Sequence, residues 1–537
     1  MPPSTRSPDG GRAALPALAV AAIAGIAVAL RLHGLTRHGL WLDEANGLRI
    51  ARLGLAEIPG ALALDAGAPL YSVLLHLWVA LAGDGERGLR LFSVGLGLLL
   101  IPATAMLARR VGGGRAAWIA AALVAVTPIA VQFSQELRMY MLLPCLAAVA
   151  GERLLAFLES GSRAALVGHA AALAAACYTH NWGLLLVPAS GVAVFVARRE
   201  RLARWCAAAA GVAVVYLPWS FVLWRQIGSG SHAFIAALAQ PPGWSLPYWS
   251  VVLFASGVGT GGVGVGSLLP PAGAVAAAVA YLLLIAAALA PRGTGGSPAS
   301  AGSRAARWAV VVLALGPLAG ALFLGATGLP VYVLGRYELM VLPFFMALAA
   351  TGAATLCAGR WAMPARAIVL PGLALLAFGS WRFTGAVERR TRENEITSAL
   401  APRLLPGDRI VVSGLYRAGL EYYLRHAGAT AAIDSFPRAS AAHQGWYDES
   451  GANPDDPALL AEAQAACPAP GRRTWVVTTL ETPLAARLVS VLARCADVER
   501  PFAGERPPLR DLVLAVPLAP GPPARPAAEV APGGGPP

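Results

Sequence analysis

The sequence is divided into apolar runs of about 17 to 22 residues, and this spacing constrains the fold more than any other feature of the chain. A helix rises ~1.5 Å per residue, so such runs match a hydrocarbon layer roughly 30 Å thick. No water reaches that layer, so the backbone must satisfy its own polar groups, and helices are the form these runs take. Hydrophobic residues make up 57% of the chain and charged ones 13%, which excludes a soluble globular class. The net charge of +13 is carried by 42 basic residues, all of them arginine. They stand in short bursts between apolar runs rather than on one basic surface, which points to membrane topology and away from a nucleic-acid partner.

Spans are expected at about 13–32, 90–108, 116–133, 141–158, 164–180, 182–198, 205–224, 270–290, 308–328, 338–357 and 366–384, about eleven in all. The first run follows a short basic stretch, as a signal peptide would. It is long enough to span and ends at Leu30-Arg31-Leu32-His33 without a small-x-small cleavage site, so it reads as a retained helix. Arginine bursts at 109–115, 198–204, 292–307 and 360–366 share one side, which the positive-inside rule makes cytoplasmic. Segments 33–89, 134–140, 225–269 and 329–337, and the chain beyond 384, then face out.

The apolar segment 69–83 would be only about 22 Å long as a helix, too short to cross. Leu70, Val73, Leu74, Leu77 and Leu81 recur at helical spacing beside Trp78, as in a helix lying along the membrane surface. Residues 43–55 read as a second interfacial helix, and 248–268 is expected at the interface because its Gly-rich half is a poor helix former. The fold class is therefore an all-α polytopic membrane domain over 1–384. A charged linker helix leads from it into a small extracytoplasmic α/β domain over 385–516. There β-like runs at 409–413, 430–434, 474–479 and 511–516 alternate with helical patterns at 416–426, 457–466 and 483–495. The Pro/Gly-rich tail, 517–537, is expected to be disordered. Cys145, Cys177, Cys206 and Cys357 lie in apolar runs, whereas Cys467 and Cys495 fall in this outer domain, where a bridge between them is expected.

Ionisable groups beside an apolar boundary must be solvated or paired. On the outer face they gather in Trp41-Leu42-Asp43-Glu44, in Asp65, in Ser134-Gln135-Glu136-Leu137-Arg138-Met139-Tyr140, in Gly335-Arg336-Tyr337-Glu338 and in His180-Asn181-Trp182. Each has a plain explanation: acids favour a helix N-terminus, arginines anchor at head groups, and a histidine satisfies a helix end. Their meeting on one face is what favours chemistry. Carboxylates suit proton abstraction from a hydroxyl, and guanidinium groups bind phosphate through paired hydrogen bonds.

In these motifs the sequence resembles the polyprenyl-phosphate-sugar-dependent glycosyltransferases of the GT-C fold, in the branch of protein O-mannosyltransferases and lipid A aminoarabinose transferases. The resemblance rests on Trp41-Leu42-Asp43-Glu44, Ala68-Pro69-Leu70-Tyr71 running to Trp78, Arg90-Leu91-Phe92-Ser93, Phe133 to Tyr140, Tyr178-Thr179-His180 and Arg336-Tyr337, across roughly 35–345. It implies Asp43 as the general base, with Glu44 and Glu136 as further acids of the catalytic loops. Arg138, Arg336, Tyr337, Gln135, Tyr140, Asp65 and His180 are then candidates for binding the donor phosphate and substrate. The implied partners are a polyprenyl-phosphate-linked sugar and an acceptor protein, lipid or polysaccharide at a bacterial plasma membrane.

Relatives carry a His-Pro-Pro-like or Lys-Pro-like element where this chain has Gly67-Ala68-Pro69, so an arginine must take over the phosphate contact. No fixed metal site is implied, and the metal stays unknown; a divalent cation at Glu136 is left open. The competing reading is a transporter or lipid flippase. It would place ionisable or helix-breaking groups near the bilayer midplane. Here most lie at span ends, though Glu152, Arg153 and His169 fall inside spans.

Overall fold

The computed structural model describes residues 10–37, 39–65, 67–228, 245–260, 264–290, 299–329, 331–358, 362–386, 392–441, 452–478 and 482–518. It forms two compact units, Met1–Thr391 and Arg392–Pro537. Each of the eleven apolar runs lies on helix. Among the described residues, six helices are long and apolar enough to cross a membrane. Two of these are hinged pairs. Glu86–Val126 breaks at Gly113, whose φ of 80° only glycine adopts readily, and Gly183–Ile227 breaks where Arg198 leaves helical geometry. Outward faces are apolar, as lipid requires: Leu18, Val28, Val167, Val214, Phe221 and Ile368 are all exposed.

The segment after the first helix, Gly10–Leu32, carries two short helices, Leu42–Ala51 and Pro69–Ala82, as expected, with a further turn of helix at Ile58–Ala63. Pro69 sits at the first helical position, where its missing N–H costs nothing. Tyr71 and Leu75 face inward, while Leu77 and Leu81 are exposed as a surface-lying helix needs. His76 Nδ1 lies 2.8 Å from the Ala51 carbonyl and joins the two helices. Within 248–268, Ser245–Ser256 is helical, and the glycine-rich half, expected to be a poor helix former, folds into an antiparallel ribbon, β1 (Gly257–Thr260) with β2 (Gly264–Ser267).

The helix break at Thr127-Pro128 shows how the bundle accounts for its polar backbone. A helix end leaves four carbonyls without donors, and Pro128 removes an N–H as well. The Leu123 carbonyl accepts from Thr127 N and Oγ1. Val124 and Ala125 accept from the fully buried Arg31, at 3.1 and 2.9 Å, and Val126 accepts from Ser380 Oγ at 2.9 Å. Arg31 also donates to Ser134 Oγ at 3.1 Å. The charge that closes the first apolar run therefore fastens that helix to the start of the 134–140 segment. Inside the spans, Glu152 is held by Arg110 and Arg153. His169 uses both ring nitrogens, against the Ala150 carbonyl and Trp205 Nε1. These three polar residues are thus satisfied by protein rather than lining a path.

The second unit is a five-stranded sheet between two helical layers. Strand order is β4 (Ala432–Phe436), β3 (Arg409–Ser413), β5 (Thr474–Val477), β7 (Leu512–Pro517) and β6 (Ala496–Glu499), with β3 parallel to β4 and β5, and β7 antiparallel to β5 and β6. Side chains alternate with period two. Val411, Val476 and Val513 pack on Leu484, Leu488 and Ala463 from one helical layer, while Ile410, Val412 and Trp475 pack on Ile396, Leu420 and Leu424 from the other. Cys467 and Cys495, each just past the end of a helix on the first face, form a disulfide. Residues 387–391 of the expected linker helix and the tail from 519 lie outside the described residues, and the linker's later part is the helix Arg392–Leu400.

Glu393 is buried against Gly419 in this unit, and burial pushes its carboxyl up to about 7. The folded form then holds the proton more tightly than the unfolded chain, so stability falls as pH rises from about 4 through 7. Glu393→Gln should raise the unfolding temperature of this unit in the full-length protein at pH 8 and leave it unchanged at pH 4. Differential scanning fluorimetry across that range checks it.

Candidate active site

Four segments distant in sequence meet at one end of the bundle: 41–49, 132–140, 180–182 and 331–338. Asp43, in the first turn of the Leu42–Ala51 helix, aims Oδ2 at Arg336 Nη1, 3.2 Å away, and at Arg138 Nη2, 3.8 Å away. Arg138 Nη1 also donates to the Asp43 carbonyl at 3.2 Å. One carboxylate thus faces two guanidinium groups, and all three are largely buried. Arg336 lies over the Trp41 ring at 5.0 Å, and Arg138 lies 5.9 Å from the Tyr140 ring centroid. Tyr337, His180 and Trp182 form an edge-to-face aromatic wall behind them, with His180 4.6 Å and Trp182 5.7 Å from Tyr337. Trp41 Nε1 and Arg138 Nε are buried without a partner, so donors with unused bonding capacity face this cluster.

The backbone around Arg336 fixes that cation. Arg336 follows Gly335, which has φ +87° and lies so close to β2 that a Cβ there would sit 2.4 Å from the Gly264 carbonyl. The buried Glu338 carboxylate receives the N–H groups of Gly335 at 2.8 Å and Arg336 at 3.2 Å, which sets the turn. Gln132 bonds both ways with Gly259 of β1, through Oε1 at 2.8 Å and Nε2 at 3.1 Å, so the glycine ribbon braces the same wall.

The remaining candidates take other places. Glu44, grouped above with the catalytic acids, is buried. It accepts from Trp41 N at 3.2 Å, Leu137 N at 2.7 Å and Arg90 Nη2 at 3.2 Å, so its carboxylate is occupied by the fold. Arg90 in turn donates to the Leu35 and Gly39 carbonyls. Gln135 closes the first helix, donating to the Arg31 carbonyl at 3.0 Å and the His33 carbonyl at 2.8 Å, away from the arginines' cluster. Glu136 meets Gln132 Nε2 at 3.2 Å, on the ribbon side. Asp65 accepts from Asn46 Nδ2 at 3.3 Å, and Asn46 Oδ1 accepts from Arg49, which sets a second polar chain beside the first. His180 Nδ1 accepts from Trp182 N at 3.1 Å, so the ring is held by its own turn. Among the described residues no three His, Cys, Asp or Glu side chains converge as metal ligands. The groups around Asp43 are cations, which do not fit a metal ion.

Sequence reasoning quoted Arg90 and Glu338 within its motifs without giving either a role, and it missed Gln132 and the donor role of Trp41.

Residues 66–224 match the model of the dolichyl-phosphate-mannose-protein mannosyltransferase family. No curated protein sequence matches the chain. The crystal structure of ArnT from Cupriavidus metallidurans bound to undecaprenyl phosphate superposes with a TM-score of 0.62 at 18% identity, covering 92% of this chain and 97% of ArnT. The archaeal oligosaccharyltransferase AglB from Archaeoglobus fulgidus, in complex with an inhibitory peptide and a dolichol-phosphate, gives a TM-score of 0.53 at 13% identity over 89% of this chain and 72% of AglB. The fold is GT-C. The resemblance drawn from the motifs is thus met by a family match over 66–224 and by a GT-C architecture over nine-tenths of the chain. The first loop of this GT-C unit is where Asp43 stands.

The Glu44–Arg90 pair gives a direct test of the site's framework. Removing one member of a buried pair leaves an uncompensated charge and costs about 3–5 kcal/mol. Glu44→Gln should therefore lower the unfolding temperature of the detergent-purified protein well below that of Asp43→Asn, whose partners are nearer solvent. Intrinsic fluorescence on heating compares the two.

Proposed function

We propose that the chain is an inverting glycosyltransferase that moves a sugar from a polyprenyl-phosphate-linked donor to an acceptor hydroxyl at the extracytoplasmic face of a bacterial plasma membrane. The observation that carries this reading is the single carboxylate of Asp43 held between Arg336 and Arg138 at the membrane boundary. In the resting arrangement the two arginines neutralise Asp43. A donor phosphate offers them a better partner, since guanidinium and phosphate pair through two parallel hydrogen bonds. Its arrival transfers the arginines to the phosphate and frees the carboxylate to accept a proton.

Asp43 then takes the proton of the acceptor hydroxyl as that oxygen attacks the anomeric carbon. The bond to the phosphate oxygen breaks on the opposite face, and the charge that grows on the leaving phosphate is stabilised by Arg336 and Arg138, with the Trp41 indole N–H as a further donor. Glu44 acts as a positioning residue: it fixes the first turn of the helix that carries Asp43. Tyr337, Tyr140 and His180 wall the phosphate side, and Asp65 with Asn46 and Arg49 lines the acceptor side. The match to the mannosyltransferase family and the fold shared with ArnT support a hexosyl or pentosyl donor. Protein, lipid and polysaccharide all offer the acceptor hydroxyl.

Asp43→Asn keeps the volume and removes the base. General-base losses run about 10²- to 10⁴-fold, so transfer from radiolabelled polyprenyl-phosphate sugars to cell-envelope fractions should fall by that order. Arg336→Lys keeps the charge and loses the paired geometry, and should raise the donor KM more than it lowers kcat. Wild-type turnover by Asp43→Asn would exclude Asp43 as the base.

A further inference from the structure

A groove of about 550 Å³ opens on the lipid-facing side between the first helix and the hinged pair Glu86–Val126. Its walls are apolar, with Val28, Ile101, Met106 and Trp118 among them, and Arg109 is the one charged residue lining it among the described residues. Arg109 lies 19 residues after Arg90 on the same helix, about 28 Å further along. The groove mouth is therefore at the membrane end opposite the Asp43 site.

The charges beside it are unequal. Arg110 is taken by Glu152 and Glu159, whereas Arg109 is exposed and faces the groove. Trp118 lies half-exposed at the same wall, the placing of an aromatic at the head-group level. A basic residue at the end of an apolar slot between membrane helices matches a molecule with a negative head and a hydrocarbon chain.

We propose that this groove holds one acyl chain of an anionic glycerophospholipid of the leaflet opposite the site, with its phosphate on Arg109. The chain fills the space between the first helix and residues 98–121, replacing the side-chain contacts that the two elements do not make there. The lipid bridges the helix whose far end, at Arg31 and the carbonyls bonded by Gln135, adjoins the segment carrying Arg138.

The test uses the full-length protein, purified in detergent, stripped of lipid and returned to phosphatidylglycerol, phosphatidylcholine or undecaprenyl phosphate. Native mass spectrometry reads the retained lipid, and heat unfolding reads the stabilisation. Phosphatidylglycerol should be retained over phosphatidylcholine by about fivefold, the factor one arginine near an anionic head group supplies. Arg109→Gln should erase that preference. Ala24→Phe and Ala105→Phe, which put a ring into the slot from either wall, should each remove one bound lipid and its stabilisation. Equal retention of the two phospholipids, an unchanged preference in Arg109→Gln, or unchanged stoichiometry in both filled variants overturns the proposal. So does displacement of phosphatidylglycerol by undecaprenyl phosphate, which would assign the groove to the donor tail. None of these readings depends on transferase activity.

Discussion

The arrangement at the site end depends on the carboxylate of Glu44. Three donors converge on it: the N–H of Trp41, the N–H of Leu137 and the guanidinium of Arg90. Each comes from a different stretch of chain. Arg90 extends the knot to the carbonyls of Leu35 and Gly39, so the exit from the first helix, the surface helix, the next membrane helix and the 134–140 segment all meet at one buried ion pair. In a medium where an unpaired charge is this costly, the pair has one geometry that satisfies all its members. Asp43 lies one residue away from that fixed point, and its direction follows from it.

The same logic of exhaustive pairing separates the acids from one another. Glu44, Glu338 and Glu152 are occupied by backbone N–H groups or arginines of the fold. Asp43 differs because its partners are two arginine side chains, at 3.2 and 3.8 Å, that retain some exposure to solvent. The buried, unpartnered N–H groups of Trp41 and Arg138 give that cluster donors not already spent on the protein.

Much of the membrane unit was legible in the sequence because its signal is a one-dimensional quantity, the length of an apolar run. The segment 69–83 read as too short to span on that basis, and it forms the 14-residue helix Pro69–Ala82. The strands of the second unit were legible through β-branched alternation, except β6. There Ala496 and Val498 alternate with Asp497 and Glu499 too briefly to differ from loop, and pairing to β7 decides the strand. The ribbon at 257–267 followed a similar rule: glycines ruled out helix, but only the partner strand selected β. At the site, residue types and the shared face were legible, and roles were not. Glu44 and Asp43 are adjacent in sequence, and only the position of Arg90, 46 residues on, distinguishes them. Gln135 read as a substrate contact because a polar residue in a conspicuous motif looks free until the carbonyls of the first helix are seen to need it.

Asp43 and Arg336 are separated by 293 residues. Membrane helices enter the bilayer in order as the chain is made, so the acid is delivered with the first loop while its principal partner is still untranslated. Until the segment 331–338 arrives, a growing chain has its surface helix and the Glu44 knot but lacks the Arg336 side of the pocket. Synthesis thus completes this pocket only when nearly the whole bundle stands.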